Sequence, residues 1–77
     1  MEKYLFYIFE LECNTKKLDE LRGQLYMNGY NFLLEENTLK VYEEEKEYIE
    51  SIMFEHGIPY LEIGVESLNI EKLKTQL

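Results

Sequence analysis

The sequence has few of the residues on which catalytic and metal sites usually depend. It contains one cysteine (Cys13), one histidine (His56), one arginine (Arg22) and no tryptophan. A lone cysteine cannot form an internal disulfide or a thiolate metal cluster, and it fits a reducing compartment. We therefore expect a cytoplasmic protein that holds no metal and no cofactor.

Motifs for nucleotide chemistry are missing as well, since the chain contains neither GxxxxGK[ST] nor GxGxxG. His56 falls at the predicted end of a helix, where a capping role is expected rather than acid–base catalysis. Cys13 ends the first predicted strand, and the charges of Lys16 and Lys17 would lower the pKa of its thiol; an inert, half-buried thiol is nevertheless the favoured interpretation. We expect no catalytic residue and no enzyme activity, and a thiol-dependent enzyme using Cys13 is the most distant alternative.

An excess of positive charge is also lacking. The chain has 8 Lys and Arg against 16 Asp and Glu, which gives a formal net charge of −8 at pH 7. Nucleic acids and anionic membranes are bound through basic surfaces, so direct binding to either is not expected. No apolar run approaches the ~20 residues of a membrane span, and the N-terminus does not resemble a signal peptide. The charge instead favours a partner protein with a basic surface.

The 77 residues are expected to form one domain, 1–77. Apolar periodicity and turn residues predict strands over residues 3–12, 30–35, 38–42 and 60–65, and helices over about 14–28, over 43–56 and from about Leu68 onward. In the last strand, Leu61, Ile63 and Val65 are expected on one face. The order β-α-β-β-α-β predicts an α+β, ferredoxin-like fold: a four-stranded antiparallel sheet with two helices on one face, plus a short C-terminal helix.

The first predicted strand is apolar on both faces, although a half-buried strand should alternate apolar and polar residues. Two helices can cover one face, which holds Leu5, Tyr7, Phe9 and Leu11. The opposite face, which the helices leave open, is expected to hold Tyr4, Phe6 and Ile8, with Tyr42 and Tyr60 as further members.

Three explanations fit this open sheet face. The C-terminal helix, with Ile70, Leu73 and Leu77 on one side, folds back over it. A second copy of the chain packs against it and forms a homodimer. Or another protein docks there, because exposed apolar patches usually mark interaction sites.

Glutamates dominate the start of the second predicted helix. The expected row comprises Glu43, Glu44, Glu47 and Glu50, and Glu35 and Glu36 are expected nearby across the hairpin. Carboxylates at phosphate-like spacing can occupy a Lys/Arg channel and release counterions, as DNA does. We predict that these six residues form a partner-binding site.

In size, acidity and lack of catalytic motifs, the chain resembles the small phage-encoded inhibitors of bacterial defence, including anti-CRISPR proteins. The resemblance implies a non-enzymatic inhibitor or adaptor that binds a basic, nucleic-acid-binding surface of another protein. The alternative is a homodimeric regulatory domain that senses a small ligand at the dimer seam. A homodimer is expected because so short a chain buries only ~60% of its unfolded surface, and dimerisation buries more.

Overall fold

The computed structural model describes the backbone of residues 3–69 and the side chains of residues 5–67. Its elements follow the chain as β1 (Lys3–Leu11), α1 (Thr15–Met27), β2 (Phe32–Glu35), β3 (Thr38–Tyr42), a one-turn 3₁₀ helix (Glu43–Glu45), α2 (Lys46–Glu55) and β4 (Tyr60–Asn69). The four strands form one sheet in the order β2-β3-β1-β4, and every neighbouring pair is antiparallel. The predicted α+β, ferredoxin-like fold is confirmed. None of the helices in this described part is long and apolar enough to cross a membrane.

Both helices end where the sequence predicts. Asn14 caps α1 by accepting a hydrogen bond from the backbone N–H of Lys17 at 2.9 Å. Gly29 and Gly57 follow the two helices with φ of +74° and +65°, the left-handed conformation that glycine adopts without a steric penalty. Pro59 then prevents α2 from continuing.

The second predicted helix is interrupted near its start. Residues 43–56 were expected to be continuous, but Glu43–Glu45 form a 3₁₀ turn and the α-helix begins at Lys46. Glu45 has φ −106° and ψ −3°, which departs from ideal α-helical dihedrals, and its carboxylate accepts a hydrogen bond from the backbone N–H of Asn31 at 3.0 Å. This contact ties the turn to the start of β2.

The hairpin between β2 and β3 is joined to β1 by Asn37. The two-residue turn sets Glu35 opposite Thr38, and Glu36 takes the positive φ of 52°. The Asn37 side chain donates to the carbonyl of Leu11 at 2.8 Å, and the Leu11 N–H donates to the Asn37 carbonyl, also at 2.8 Å. The hairpin is therefore held at the C-terminal end of β1.

One core lies between the sheet and the helices. It is made of Phe9, Leu11, Leu18, Leu21, Leu25, Leu34, Leu39, Val41, Ile49, Met53 and Ile58. Tyr7 packs only partly against it and Leu5 does not belong to it, although both were expected beneath the helices. The reason is that α2 begins at Lys46, whose ammonium lies over the Tyr7 ring, so Leu5 lies beyond the helical layer.

β4 is longer than predicted and its register is irregular. It runs to Asn69 and pairs with β1 along the whole of that strand, so Leu68 and Asn69 are not the start of a helix. The rest of the predicted C-terminal helix lies outside the described residues. A register shift between Ile8 and Phe9 puts Leu61 opposite Glu10 but Val65 opposite Tyr7. A bulge of this kind adds one residue to a strand, so the expected single apolar face of β4 is divided between the two sides of the sheet.

Candidate binding surfaces

A group of exposed glutamates lies where β3 passes into α2. Glu43, Glu44 and Glu47 are exposed there, and we call these three residues the acidic turn. Within the described residues, none of the ion pairs formed by lysine or arginine involves them. The positive end of the α2 dipole favours carboxylates at this position, which offsets part of their mutual repulsion.

The neighbouring charged residues turn inward and are satisfied within the chain. Glu45 binds the backbone and the side-chain amide of Asn31, at 3.0 and 3.3 Å. The ammonium of Lys46 lies 4.6 Å from the centroid of the Tyr7 ring. Glu45 and Lys46 therefore have partners within the chain, whereas the carboxylates of the acidic turn face solvent.

Glu50, predicted as a member of the same outward row, lies instead on the side of α2 that faces β4. One of its carboxylate oxygens accepts a hydrogen bond from the Tyr60 hydroxyl at 2.6 Å, and the other lies 3.6 Å from the Lys46 ammonium. Because both oxygens have partners in the chain, Glu50 does not extend the acidic turn. The predicted row of four glutamates is therefore reduced to the three residues of the acidic turn.

Glu35 and Glu36 do not lie near the acidic turn. They precede Thr38 at the start of β3, whereas Glu43 follows Tyr42 at its end. Five residues of extended chain separate the two ends by about 17 Å. The hairpin was expected to bring these carboxylates beside Glu43; β3 holds them apart.

Lys46 joins α2 to the edge strand β4. Its ammonium lies 3.4 Å from a carboxylate oxygen of Glu62 and 3.6 Å from one of Glu50. Burial by itself would lower the pKa of Lys46, but the contact with Glu62 and the negative charges of both glutamates outweigh it and raise the pKa. This lysine is held charged between two carboxylates of its own chain.

Tyr60 was expected on the open sheet face, and the structure places it on the opposite, helix-covered side. It pairs with Leu11, and directly paired residues project from the same face of a sheet. Its ring meets that of Phe9 edge-on, with centroids 5.2 Å apart. The hydrogen bond to Glu50, followed by burial, raises the pKa of the Tyr60 hydroxyl.

We expect Tyr60→Phe to reduce the free energy of unfolding by about 1 kcal/mol, the usual net value of one hydrogen bond. The raised pKa means that the folded state holds the phenol proton more tightly than the unfolded chain does. The hydrogen bond therefore contributes fully to the stability of the native chain below a pH of about 10, the pKa of tyrosine in an unfolded chain. Its contribution is lost as the pH rises through the higher pKa that Tyr60 has in the folded state. Urea unfolding of the native chain and of Tyr60→Phe between pH 8 and about 11 measures it. The matched control is Tyr26→Phe, because Tyr26 is 79% exposed; an equal loss in this control would contradict the assignment.

The open sheet face holds three of its predicted residues. Phe6 pairs with Tyr42, and their ring centroids lie 4.5 Å apart. Ile8 lies between Lys40 and Gly64. Tyr4 belongs to β1, but its side chain lies outside the described ones.

A shallow depression of about 370 Å³ opens on this face. It is lined by Phe6, Asn31, Phe32, Leu33, Lys40, Tyr42 and Glu66. Lys40 and Glu66 form an ion pair across it at 3.3 Å. Leu33 and Lys40 were not predicted as members of this face, although the two-residue hairpin turn fixes Leu33 opposite Lys40. Glu66 was not predicted either, because its orientation follows from the bulged register of β4, which has no local sequence signal.

No protein-family model, curated protein or solved structure matches this chain.

Lys17 interacts with both His56 and Cys13. Lys17 donates from its ammonium to the backbone carbonyl of His56 at 3.0 Å, which helps to close the end of α2. Burial raises the pKa of the Cys13 thiol, and the positive charge of Lys17 offsets only part of that rise. Because the thiolate is the nucleophilic form, the environment makes Cys13 less reactive than an exposed cysteine.

Proposed function

We propose that this protein is a non-enzymatic protein-binding module that acts in the cytoplasm as an inhibitor or adaptor on a basic partner surface. A nucleic-acid-binding channel lined with Lys and Arg has the required chemistry, as in the targets of phage anti-defence and anti-CRISPR proteins. The observation that carries the proposal is the acidic turn: three exposed carboxylates without an ion pair in the described part of the chain.

The position of the acidic turn supports a binding role. Glu43 and Glu44 are adjacent like charges in the 3₁₀ turn that precedes α2, so their carboxylates repel each other. A basic partner would remove this repulsion, and each direct contact with a Lys or Arg side chain is worth on the order of 1 kcal/mol at the surface. The contact between Glu45 and Asn31 holds the turn in place before a partner arrives, which lowers the entropic cost of binding.

The charge of the whole chain supports the same role. A net charge of −8 gives a long-range field that attracts basic surfaces and accelerates encounter, mostly at low ionic strength. Three of the carboxylates in the described region, those of Glu50, Glu62 and Glu66, are bound to lysines of the chain itself. The free carboxylates of the acidic turn are therefore the ones available to a partner at this end of the sheet.

Amide chemical shifts recorded while an oligo-arginine peptide is titrated into ¹⁵N-labelled protein test the proposal. The peptide supplies the guanidinium groups of a basic surface without requiring a known partner. We expect the largest shifts at Glu43, Glu44 and Glu47, and small shifts at Phe6 and Ile8 in the middle of the sheet. Shifts spread evenly over the exposed glutamates, or centred on the open sheet face, would refute it.

A further inference from the structure

β4 is a long strand at the edge of the sheet. Within the described residues its backbone pairs with β1 alone, so its outer side has no partner strand there. Alternate residues of an edge strand direct their N–H and C=O groups away from the sheet. About five of the residues in Tyr60–Asn69 therefore offer both groups to another strand, and an edge of this kind is a ready template for pairing.

β4 has few of the features that usually protect an edge strand from pairing. The strand at the opposite edge, β2, has four residues, whereas β4 has ten and contains neither proline nor lysine. A bulge at Ile63 interrupts the pairing of β4 with β1, but Gly64–Asn69 continue without a further shift. That stretch alone has the length of a typical strand.

Exposed apolar side chains are concentrated along β4. Leu61, Ile63 and Val65 are all more than half exposed. They do not belong to one face, because Leu61 lies opposite Glu10 on the open side of the sheet and Val65 lies opposite Tyr7 on the helix-covered side. What they share is the edge, so the occupant that covers them is a strand beside β4 and not a segment that lies on either face.

The charges of β4 favour a second copy of the chain over a basic peptide as that strand. Glu62 and Glu66 are the charged residues of β4. Their carboxylates already lie 3.4 Å and 3.3 Å from the ammonium groups of Lys46 and Lys40, respectively. A basic peptide would have to compete with these lysines, whereas a second copy brings carboxylates that already have partners.

The register of such a pair is limited by symmetry and charge. A two-fold axis perpendicular to the sheet keeps each face on its own side, so the centre of the pairing falls on a residue. A centre at Glu66 sets this carboxylate opposite its own copy, and like charges directly opposite are destabilising. A centre at Gly64 buries no side chain at the axis. A centre at Val65 brings this exposed side chain against its own copy and sets Glu66 opposite Gly64.

We propose that the protein forms a homodimer in which β4 pairs antiparallel with β4 of a second copy, centred at Val65. The two sheets join in the order β2-β3-β1-β4-β4-β1-β3-β2, with the helices of both copies on the same side. The interface is the sheet edge and not the open sheet face. It is independent of the acidic turn, which follows β3 and contributes nothing to β4.

The contact is small, so we expect the dimer to dissociate on dilution. A ten-residue strand is about 33 Å long, and a sheet about 10 Å thick then gives a footprint of about 330 Å² on each copy. Stable interfaces bury about 800 Å² on each partner. Each copy also carries a net charge of −8, so long-range repulsion opposes association and salt should strengthen the dimer. Binding of a basic partner by the acidic turn responds to salt in the opposite direction.

Light scattering and amide hydrogen exchange on the native full-length chain test the dimer. We expect the mass to rise from 9.4 kDa toward twice that value between about 20 µM and about 1 mM, and to rise further with added salt. Over the same range, exchange at alternate amides of Gly64–Ser67 should slow at least about fivefold, because their outward N–H groups become hydrogen-bonded. The amides of β2, the other edge, should not change.

A pair of charge variants tests the position of the interface. Val65→Lys places two ammonium groups opposite each other at the proposed centre, so we expect its dimer dissociation constant to rise at least about tenfold. Met27→Lys makes the same change of charge at an exposed apolar residue of α1 and should leave the constant unchanged. Circular dichroism checks that both variants are folded.

Four results would overturn the proposal. They are a monomer at every concentration, a dimer in which the β4 amides exchange as they do in the monomer, equal weakening by the two variants, and a dilute monomer whose β4 amides are all protected already. The last result would mean that another part of the same chain covers the edge. None of the four bears on the acidic turn, so the proposed function stands or falls separately.

Discussion

Phe9→Ala is expected to leave the protein largely unfolded at room temperature. Phe9 is 0% exposed and packs edge-on against Tyr60 at the centre of the core. Truncating a buried phenylalanine costs ~3–5 kcal/mol, because transfer free energy is lost and a cavity remains. A domain of this size has a free energy of unfolding near the lower end of ~5–15 kcal/mol. The substitution therefore removes most or all of the stability, which urea unfolding followed by circular dichroism measures.

Phe54→Ala is the matched control, because it makes the same chemical change at a residue that is 84% exposed on α2. We expect it to change the free energy of unfolding by less than about 0.5 kcal/mol. If both variants lost the same amount of stability, the assignment of Phe9 to the buried face of β1 would be wrong.

The order of helices and strands was predictable because short patterns of neighbouring residues determine it. Gly29 and Gly57 end the helices, and the turn at Glu36 and Asn37 produces the β2–β3 hairpin, as glycine and turn chemistry predict. Leu18, Leu21 and Leu25 repeat at helical spacing and are all buried. These features depend on residues close in the chain, and for them sequence and structure agree.

Two of the predictions that failed depend on how distant strands align. Tyr60 was placed on the wrong face because its orientation follows from pairing with Leu11, almost fifty residues earlier. The bulge opposite Ile8 and Phe9, which divides the apolar residues of β4, depends on the same pairing. A shift of one residue exchanges the two faces of a strand, and nothing in the local pattern of β4 specifies it.

The candidate site was predicted in part for a related reason. Glu43, Glu44 and Glu47 are exposed as expected, because a run of charges at a helix start is stable in solvent. Glu50 lies in the same helical sequence but contacts Tyr60 and Lys46. Glu50 has an internal partner because β4 packs beside α2, and helical periodicity does not predict how these two elements pack.

Glu44→Lys combined with Glu47→Lys is expected to abolish binding to a basic surface. Each change replaces an attraction of on the order of 1 kcal/mol with a repulsion of similar size, so two changes cost about 4 kcal/mol at low salt. That is close to a thousandfold in the dissociation constant, since about 1.4 kcal/mol corresponds to tenfold. Salt screens exposed charges, so the difference between the native and reversed chains should shrink as ionic strength rises.

The most direct test of the proposed role of the acidic turn compares the affinity of this variant with that of Glu12→Lys combined with Glu20→Lys. Both pairs are exposed, and both variants shift the net charge by the same amount. Fluorescence anisotropy with a labelled oligo-arginine peptide gives the affinities at about 20 mM and about 500 mM salt. If the acidic turn is the binding surface, the Glu44/Glu47 variant loses binding at low salt and the Glu12/Glu20 variant loses only a few-fold. Equal losses in the two variants would show that only net charge matters and would contradict the proposal.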